Sequence, residues 1–299
     1  MPIEPIPDMS LPEARDRVWR YMDFPKYLSM LDRRALYFSN VEALARTDPH
    51  EGMLAQPNFR HRDWQDIRDL THEEWQELGM GELDDAAREI QFWRSKSSRE
   101  YWARRRFYDR RAFFVNCWHV SEYESAAMWP AYADPKQGIA VTADYSLLVD
   151  ALTPANERIL AAKVRYVDFV TEPVGPRILP TNKRLSFSYE KELRLIYWDP
   201  KIREAVNHIC HRLAISMFPG GSQSVRTEEI DWELVEDEVA RVAYTPGRYV
   251  PVDIEALVSE VRVSPMAEDW FVDLVRSVSK RYSVNADITR SDLLSSPLR

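Results

Sequence analysis

The chain has 299 residues, 45% hydrophobic and 29% charged, enough for one large or two small globular domains; disorder, collagen and coiled coil are excluded as descriptions of the whole. Its 40 basic and 48 acidic side chains leave a net charge of -8, which excludes a surface coated in basic groups for duplex binding, and its 8 glycines leave little material for Gly-rich phosphate loops. Two cysteines cannot build a disulfide framework, no run approaches the ~18 apolar residues of a spanning helix, and the opening MPIEPIPDMSLPEARDR lacks a secretory signal's basic and apolar regions, so the expected location is a reducing, bacterial-type cytoplasm with no membrane partner.

In chain order, residues 1–17 carry four prolines and read as an extended arm. VWRYMD (18–23) has the look of a strand running into FPKYLSMLDRR, where Phe24, Tyr27, Leu28 and Leu31 share a helical face, and ALYFSN (35–40) is a second strand. Residues 57–111 are polar, charged and aromatic, with a helical stripe at Leu83, Ala86, Ala87, Ile90 and Trp93, and read as a helical insertion. AFFVNCW (112–118), GIAVTA (138–143) and KVRYVDF (163–169) are strands bounded by turn signals, with a short helix ending near Pro130 between the first two.

FSYEKELRLIYW (187–198) alternates Leu193, Leu195 and Tyr197 against Glu192, Arg194 and Ile196, the pattern of a half-buried strand. A helix over about 201–217 leads to the loop PGGSQS, and EEIDWELVEDEVAR is read as helical, so 201–240 forms a second insertion. YVPVDI, a strand LVSEVRVS and a helix with Phe271, Leu274, Val275 and Val278 on one face close the chain. Intermingled strands and helices without a long linker predict one α+β domain over 18–299 with a mixed sheet and helical insertions.

Two clusters bear on metal chemistry. Cys117-Trp118-His119 and His208-Ile209-Cys210-His211 contain zinc-type ligands, but their spacings match none of the usual pairs, so no metal is expected. The run SSREYWARRRFYDRRAFF interleaves Arg104, Arg105, Arg106, Arg110 and Arg111 with aromatics. Such a run suits phosphate contacts and base stacking, or else a helix whose arginines answer the acidic residues at 73–85.

Three phrases together resemble a family. VWRYMDFPKYLSMLDRRALYFSN with TDPHEG, then SAAMWPAYADPKQGIAV, then FSYEKELRLI with VRVSPMAEDW are similar to the bacterial domain-of-unknown-function family 2971, over about 18–290 excluding the two insertions. More distantly, the Arg-Tyr strand end before a helix, and Glu190-Lys191-Glu192 with E-x-E spacing, resemble the first and last motifs of the ADP-ribosyltransferase fold. The Ser-Thr-Ser motif of that fold has no clear counterpart, because Ser186-Phe187-Ser188 sits directly before the Glu pair.

This second resemblance implies an effector, a toxin or defence component, that transfers ADP-ribose from NAD to a protein or nucleic-acid acceptor. It makes Glu192 and Glu190 catalytic, on one face of a strand. Arg20 would hold the pyrophosphate, and Tyr21 or Tyr189 would stack on the nicotinamide. Asp48, Glu51, Trp129 and Arg194 would edge the site. The other readings of these residues are a polar strand face with Arg20 as a structural partner of Asp23, Asp48 or Glu51, a nucleic-acid or partner-binding module at Arg104–Arg111, and a nuclease in which Asp48, Glu51, Glu190 and Glu192 hold a divalent metal.

Overall fold

A computed structural model describes residues 3–59, 70–77, 81–88, 105–174, 179–215 and 230–295. Its strands are β1 (Ile3–Pro5), β2 (Arg17–Asp23), β3 (Ala35–Asn40), β4 (Phe113–Val120), β5 (Gly138–Asp144), β6 (Ile159–Lys163), β7 (Arg165–Val167), β8 (Asn182–Arg184), β9 (Glu192–Trp198), β10 (Gly247–Pro251), β11 (Glu260–Val263) and β12 (Asp287–Arg290). The helices are α1 (Phe24–Arg33), α2 (Val41–Leu44), α3 (His72–Glu77), α4 (Met128–Tyr132), α5 (Tyr145–Ala151), α6 (Pro200–Ile215), α7 (Trp232–Ala240), α8 (Ile254–Leu257) and α9 (Asp269–Arg281). No helix of the described residues is long and apolar enough to cross a membrane.

Ten strands form one mixed sheet in the order β1-β6-β9-β4-β2-β5-β11-β12, with β3 joining β4 and β10 off that path, while β7 and β8 make a separate two-stranded sheet. The chain is therefore α+β, as its pattern predicts. The first structural unit follows that pattern closely: Pro25 sits in the first turn of α1, where its missing N–H costs nothing, and Arg34, with φ 46°, closes the helix in the left-handed region. The arm is less free than its prolines suggest, since β1 pairs in parallel with β6. KVRYVDF is two elements rather than one, because Lys163 ends β6 and Arg165 begins β7.

Because side chains alternate along a strand, the sheet has two dissimilar faces. One carries Val18, Met22, Phe114, Trp118, Ile139, Val141, Leu193 and Leu195 into the main core against Tyr27, Met30 and Leu31 of α1, Leu148 of α5, Leu257 of α8 and Phe271, Val272 and Val275 of α9. Trp19, Tyr21 and Ala140 of the other face pack beneath Met128 and Trp129 of α4, and Val115, Ala162 and Ile196 form a further apolar patch with Ile6 and Val41. With both faces covered, Glu192 to Ile196 are all buried, not half-buried as their alternation suggests.

The sheet also forks. β4 pairs with β2 only at Val18↔Val120 and Trp19↔His119, and with β3 only at Ser39↔Val115 and Asn40↔Phe114. Between these contacts β2 and β3 diverge from the common edge of β4, and α1 connects them. On its other edge β4 is paired without a break to β9, from Phe113↔Trp198 to His119↔Glu192.

Candidate active site at a forked sheet

Arg20 stands at the fork. Its Nη1 donates to the carbonyl of Cys117 at 3.1 Å, a group the diverging strands leave unpaired on that side, and its Nη2 reaches the carbonyl of Tyr37 at 3.5 Å. Among the described residues it makes no ion pair: Asp23 is bound by Lys26, Asp48 by Arg184 and Glu51 by Arg194, so the structural pairings considered for Arg20 are not formed. Burial pushes its guanidinium down from the ordinary value with no carboxylate to oppose the shift. It lines a cavity of about 550 Å³ inside the fork, walled by Met22, Met30, Leu36, Tyr37 and Tyr249.

The carboxylates gather on the opposite face. The E-x-E pair does not lie on one strand: Leu185–Glu190 is a 3-10 helix, Lys191 takes a left-handed φ of 40°, and β9 begins at Glu192. Both carboxylates nevertheless converge on Lys183 of β8, whose ammonium binds Glu190 Oε2 and lies 3.4 Å from Glu192 Oε2. Arg194 donates from Nε to Glu192 Oε1 at 2.8 Å and from Nη2 to Glu192 Oε2 at 3.1 Å, while its fork also engages Glu51. Three carboxylates thus share two buried cations.

Their environments separate the two glutamates. Burial would raise the Glu192 carboxyl, but Arg194 and Lys183 hold it down at about 2. Glu190 moves the other way: burial and the charge of Glu192 raise it despite Lys183. Its Oε1 accepts the Tyr132 hydroxyl at 2.5 Å. Both oxygens of Glu192 are held by cations, whereas Glu190 has Lys183 on one oxygen and the Tyr132 hydroxyl on the other.

Glu190 and Glu192 line a second cavity of about 250 Å³ together with Asp48, Glu51, His119, Tyr132, Lys183, Phe187 and Arg194. Gly52, with φ 66°, helps turn the chain beside Glu51, and a Cβ there would meet Val41 Cγ1 at 2.8 Å. Asp48 accepts the His50 amide at 3.2 Å in an Asx turn, and its Oδ2 is buried without a hydrogen-bond partner. The three family-like phrases, TDPHEG, SAAMWPAYA and SYEKELRLI, thereby each contribute to one cavity.

The single site that the transferase resemblance requires of Arg20 and Glu192 is not formed, since they open into different cavities; the two adjoin, with Tyr21, Leu44, Cys117 and Tyr132 lining both. Tyr21 is placed to wall a ligand, its hydroxyl accepting the Ser125 amide at 2.9 Å. Tyr189 is exposed and lines neither cavity, which removes it from the expected stacking role. Trp129 stands behind Tyr21, ring centroids 5.2 Å apart, and also lines neither; its neighbour Tyr132 takes the cavity position.

The arginine run turns inward. Arg105 and Arg106 pair with Asp109, Arg110 donates to the Pro49 carbonyl at 2.6 Å, and Arg111 holds Glu42. Arg104 lies outside the described residues. Arg110 and Arg111 join the end of the insertion to α2 and the turn after it. For the nuclease reading, each of its carboxylates already has a cation that a metal would have to displace; no group of three or more metal-type ligands occurs among the described residues.

Two polar cavity residues are not among those expected in this site: Lys183, and His119, which the sequence marks only as a zinc-type ligand. Lys183 carries no local motif. His119 invites attention only through its neighbour Cys117, yet the register His119↔Glu192 is what brings it to the carboxylates. No family model matches the chain, and no curated protein or solved structure matches it either.

Proposed function

We propose that the protein is an ADP-ribosyltransferase-like enzyme that breaks the nicotinamide N-glycosidic bond of NAD and passes ADP-ribose to a macromolecular acceptor. The observation that carries this reading is Arg20, a guanidinium without an ion-pair partner among the described residues, lining a cavity that adjoins a carboxylate-lined one. A half-buried cation without a carboxylate calls for an anion, and a forked guanidinium suits a pyrophosphate. The two cavities, at about 550 and 250 Å³, suit the two ends of an elongated dinucleotide.

The roles differ from those the E-x-E spacing implies. Glu190, which lines the smaller cavity and shares Lys183 with Glu192, is assigned to the developing positive charge at the ribose anomeric carbon. Glu192 is a positioning residue that orients Arg194 and Lys183. Tyr21 walls the passage between the cavities.

Release of nicotinamide from NAD, followed chromatographically with protein and RNA acceptor pools, tests the reading. Turnover that Arg20→Gln and Glu190→Gln both lower is expected. No nicotinamide release by the wild-type chain with any acceptor pool, together with no binding of ADP-ribose, would overturn it.

A further inference from the structure

His119 is a buried titratable residue of the smaller cavity that has no part in the chemistry assigned to Arg20 and Glu190. It sits near the end of β4, opposite Glu192 in the β4–β9 ladder and opposite Trp19 in the β4–β2 contact. The ring is 4% exposed and its Nδ1 lies 2.5 Å from the backbone carbonyl of Glu190. A carbonyl oxygen only accepts, so Nδ1 carries the hydrogen and Nε2 of the neutral ring carries the lone pair. Nε2 has no hydrogen-bond partner among the described residues and is not among their closed-off polar atoms, while the residue lines the smaller cavity.

Three of the cavity's four carboxylates are engaged through both oxygens. Glu190 accepts the Tyr132 hydroxyl and the Lys183 ammonium, Glu192 is held by Arg194 and Lys183, and Glu51 by Arg194. Asp48 Oδ2 is unpartnered, but it is sealed from solvent. The titratable groups that share its cavity are Cys117 beside it on β4, Glu192 from β9, Glu190 from the turn before it, Lys183 from β8, Tyr21 from β2, Tyr132 from α4, and Asp48 and Glu51 from the turn after α2, with Lys191 acting on it by charge. Tyr21 meets the imidazole edge-on at 6.3 Å between centroids. Burial lowers the imidazole from its ordinary value, the Glu190 carbonyl opposes this, and Lys191 lowers it further, so the ring is neutral at pH 7.

We propose that His119 is a catalytic base, taking at Nε2 the proton of the acceptor group that attacks the ribose. This role rests on the NAD reading. In the step, the acceptor X–H bond breaks and its proton passes to Nε2. The freed pair forms the bond from X to the anomeric carbon. The bond from that carbon to the pyridinium nitrogen breaks with its pair returning to nitrogen, and neutral nicotinamide leaves. The imidazolium then yields its proton to water.

The test uses two variants of the full chain and two readouts. His119→Asn keeps an amide donor where Nδ1 serves the Glu190 carbonyl but removes the base; His119→Gln removes both. Nicotinamide release is expected to fall about 100- to 1,000-fold in both, with the KM for NAD changed less than threefold and the acidic limb of the kcat/KM profile lost. A merely structural histidine would instead be rescued by Asn, and wild-type turnover in that variant overturns the proposal.

Nitrogen-15 spectra of histidine-labelled protein, in which the His119 signal is the one missing from His119→Asn, read the tautomer directly. A protonated Nε2 at pH 7 also overturns the proposal, whether or not NAD is a substrate. Absence of nicotinamide release by the wild type, with the expected tautomer present, sinks the NAD reading and this role with it. Equal release by wild type and His119→Asn sinks only the role of His119.

Discussion

Arg194 holds the carboxylate of Glu51, 143 residues away in sequence, with Nη2 3.0 Å from Oε2 and Nη1 on the other oxygen. This pair fastens the turn after α2 to the buried strand β9, and it does so where water is excluded from both partners. Since Arg194 also serves Glu192, the one guanidinium holds two of the cavity's carboxylates in place.

Removing Glu51 should therefore be felt in stability first. Glu51→Ala leaves Arg194 with one carboxylate where two compensated it, and breaking a buried pair in this way costs about 3–5 kcal/mol. Urea unfolding should show the loss as a lower midpoint at unchanged slope. A midpoint equal to that of the wild type would mean that water or another acceptor replaces Glu51, contrary to the closed geometry.

Glu190 and Glu192 should separate in their variants. Glu190→Gln keeps an acceptor for Tyr132 and takes the charge from the cavity, so nicotinamide release should fall about 100-fold or more while the fold persists. Glu192→Gln leaves Arg194 and Lys183 short of a counter-charge and should lower the unfolding midpoint as well as turnover. If the two variants lose stability equally and keep activity equally, the division of roles is wrong.

Acid stability follows from the same groups, and the signs differ. Glu192 titrates at about 2 in the fold against an ordinary 4.5, so its contribution is present above 4.5 and disappears as the pH falls toward 2. His119 is lowered from 6.5, so its contribution is present above 6.5 and is lost as the pH falls below that value. Glu190 is raised, so protonation favours the fold and its term gains as the pH falls through its folded value. Urea midpoints measured from pH 7.5 to 5 should decline less in His119→Asn than in the wild type. Equal declines would show that the imidazole is not held neutral by the fold.

What the sequence made legible follows the range of the interactions. α1 and the strands on either side of it are defined by local period and by Pro25, and VWRYMD, FPKYLSMLDRR and ALYFSN match their elements to within a residue. The site was half visible. Glu190, Glu192, Asp48, Glu51 and Arg194 do meet, but the assumed mechanism, two carboxylates on one strand face, fails at Lys191, whose left-handed turn no side-chain pattern announces. Lys183 and His119 enter through pairing between distant strands, and the fork itself depends on where β4 changes partners, which no local spacing encodes.

Arg20 offers a prediction in which stability and binding move apart. A guanidinium that answers two backbone carbonyls and the face of Trp118 pays for its desolvation without an ion pair, so Arg20→Gln, which keeps an amide for the Cys117 carbonyl, should leave the unfolding midpoint unchanged or raise it. The same change removes a charged donor from the larger cavity. Charge-assisted hydrogen bonds are worth about 1.5–3 kcal/mol, so ADP-ribose affinity measured by calorimetry should fall roughly 10- to 100-fold, and the wild-type affinity should weaken with added salt where the variant's does not. A variant that unfolds easily yet binds ADP-ribose as the wild type does would make Arg20 a structural pin of the fork and would leave the anion site without its cation.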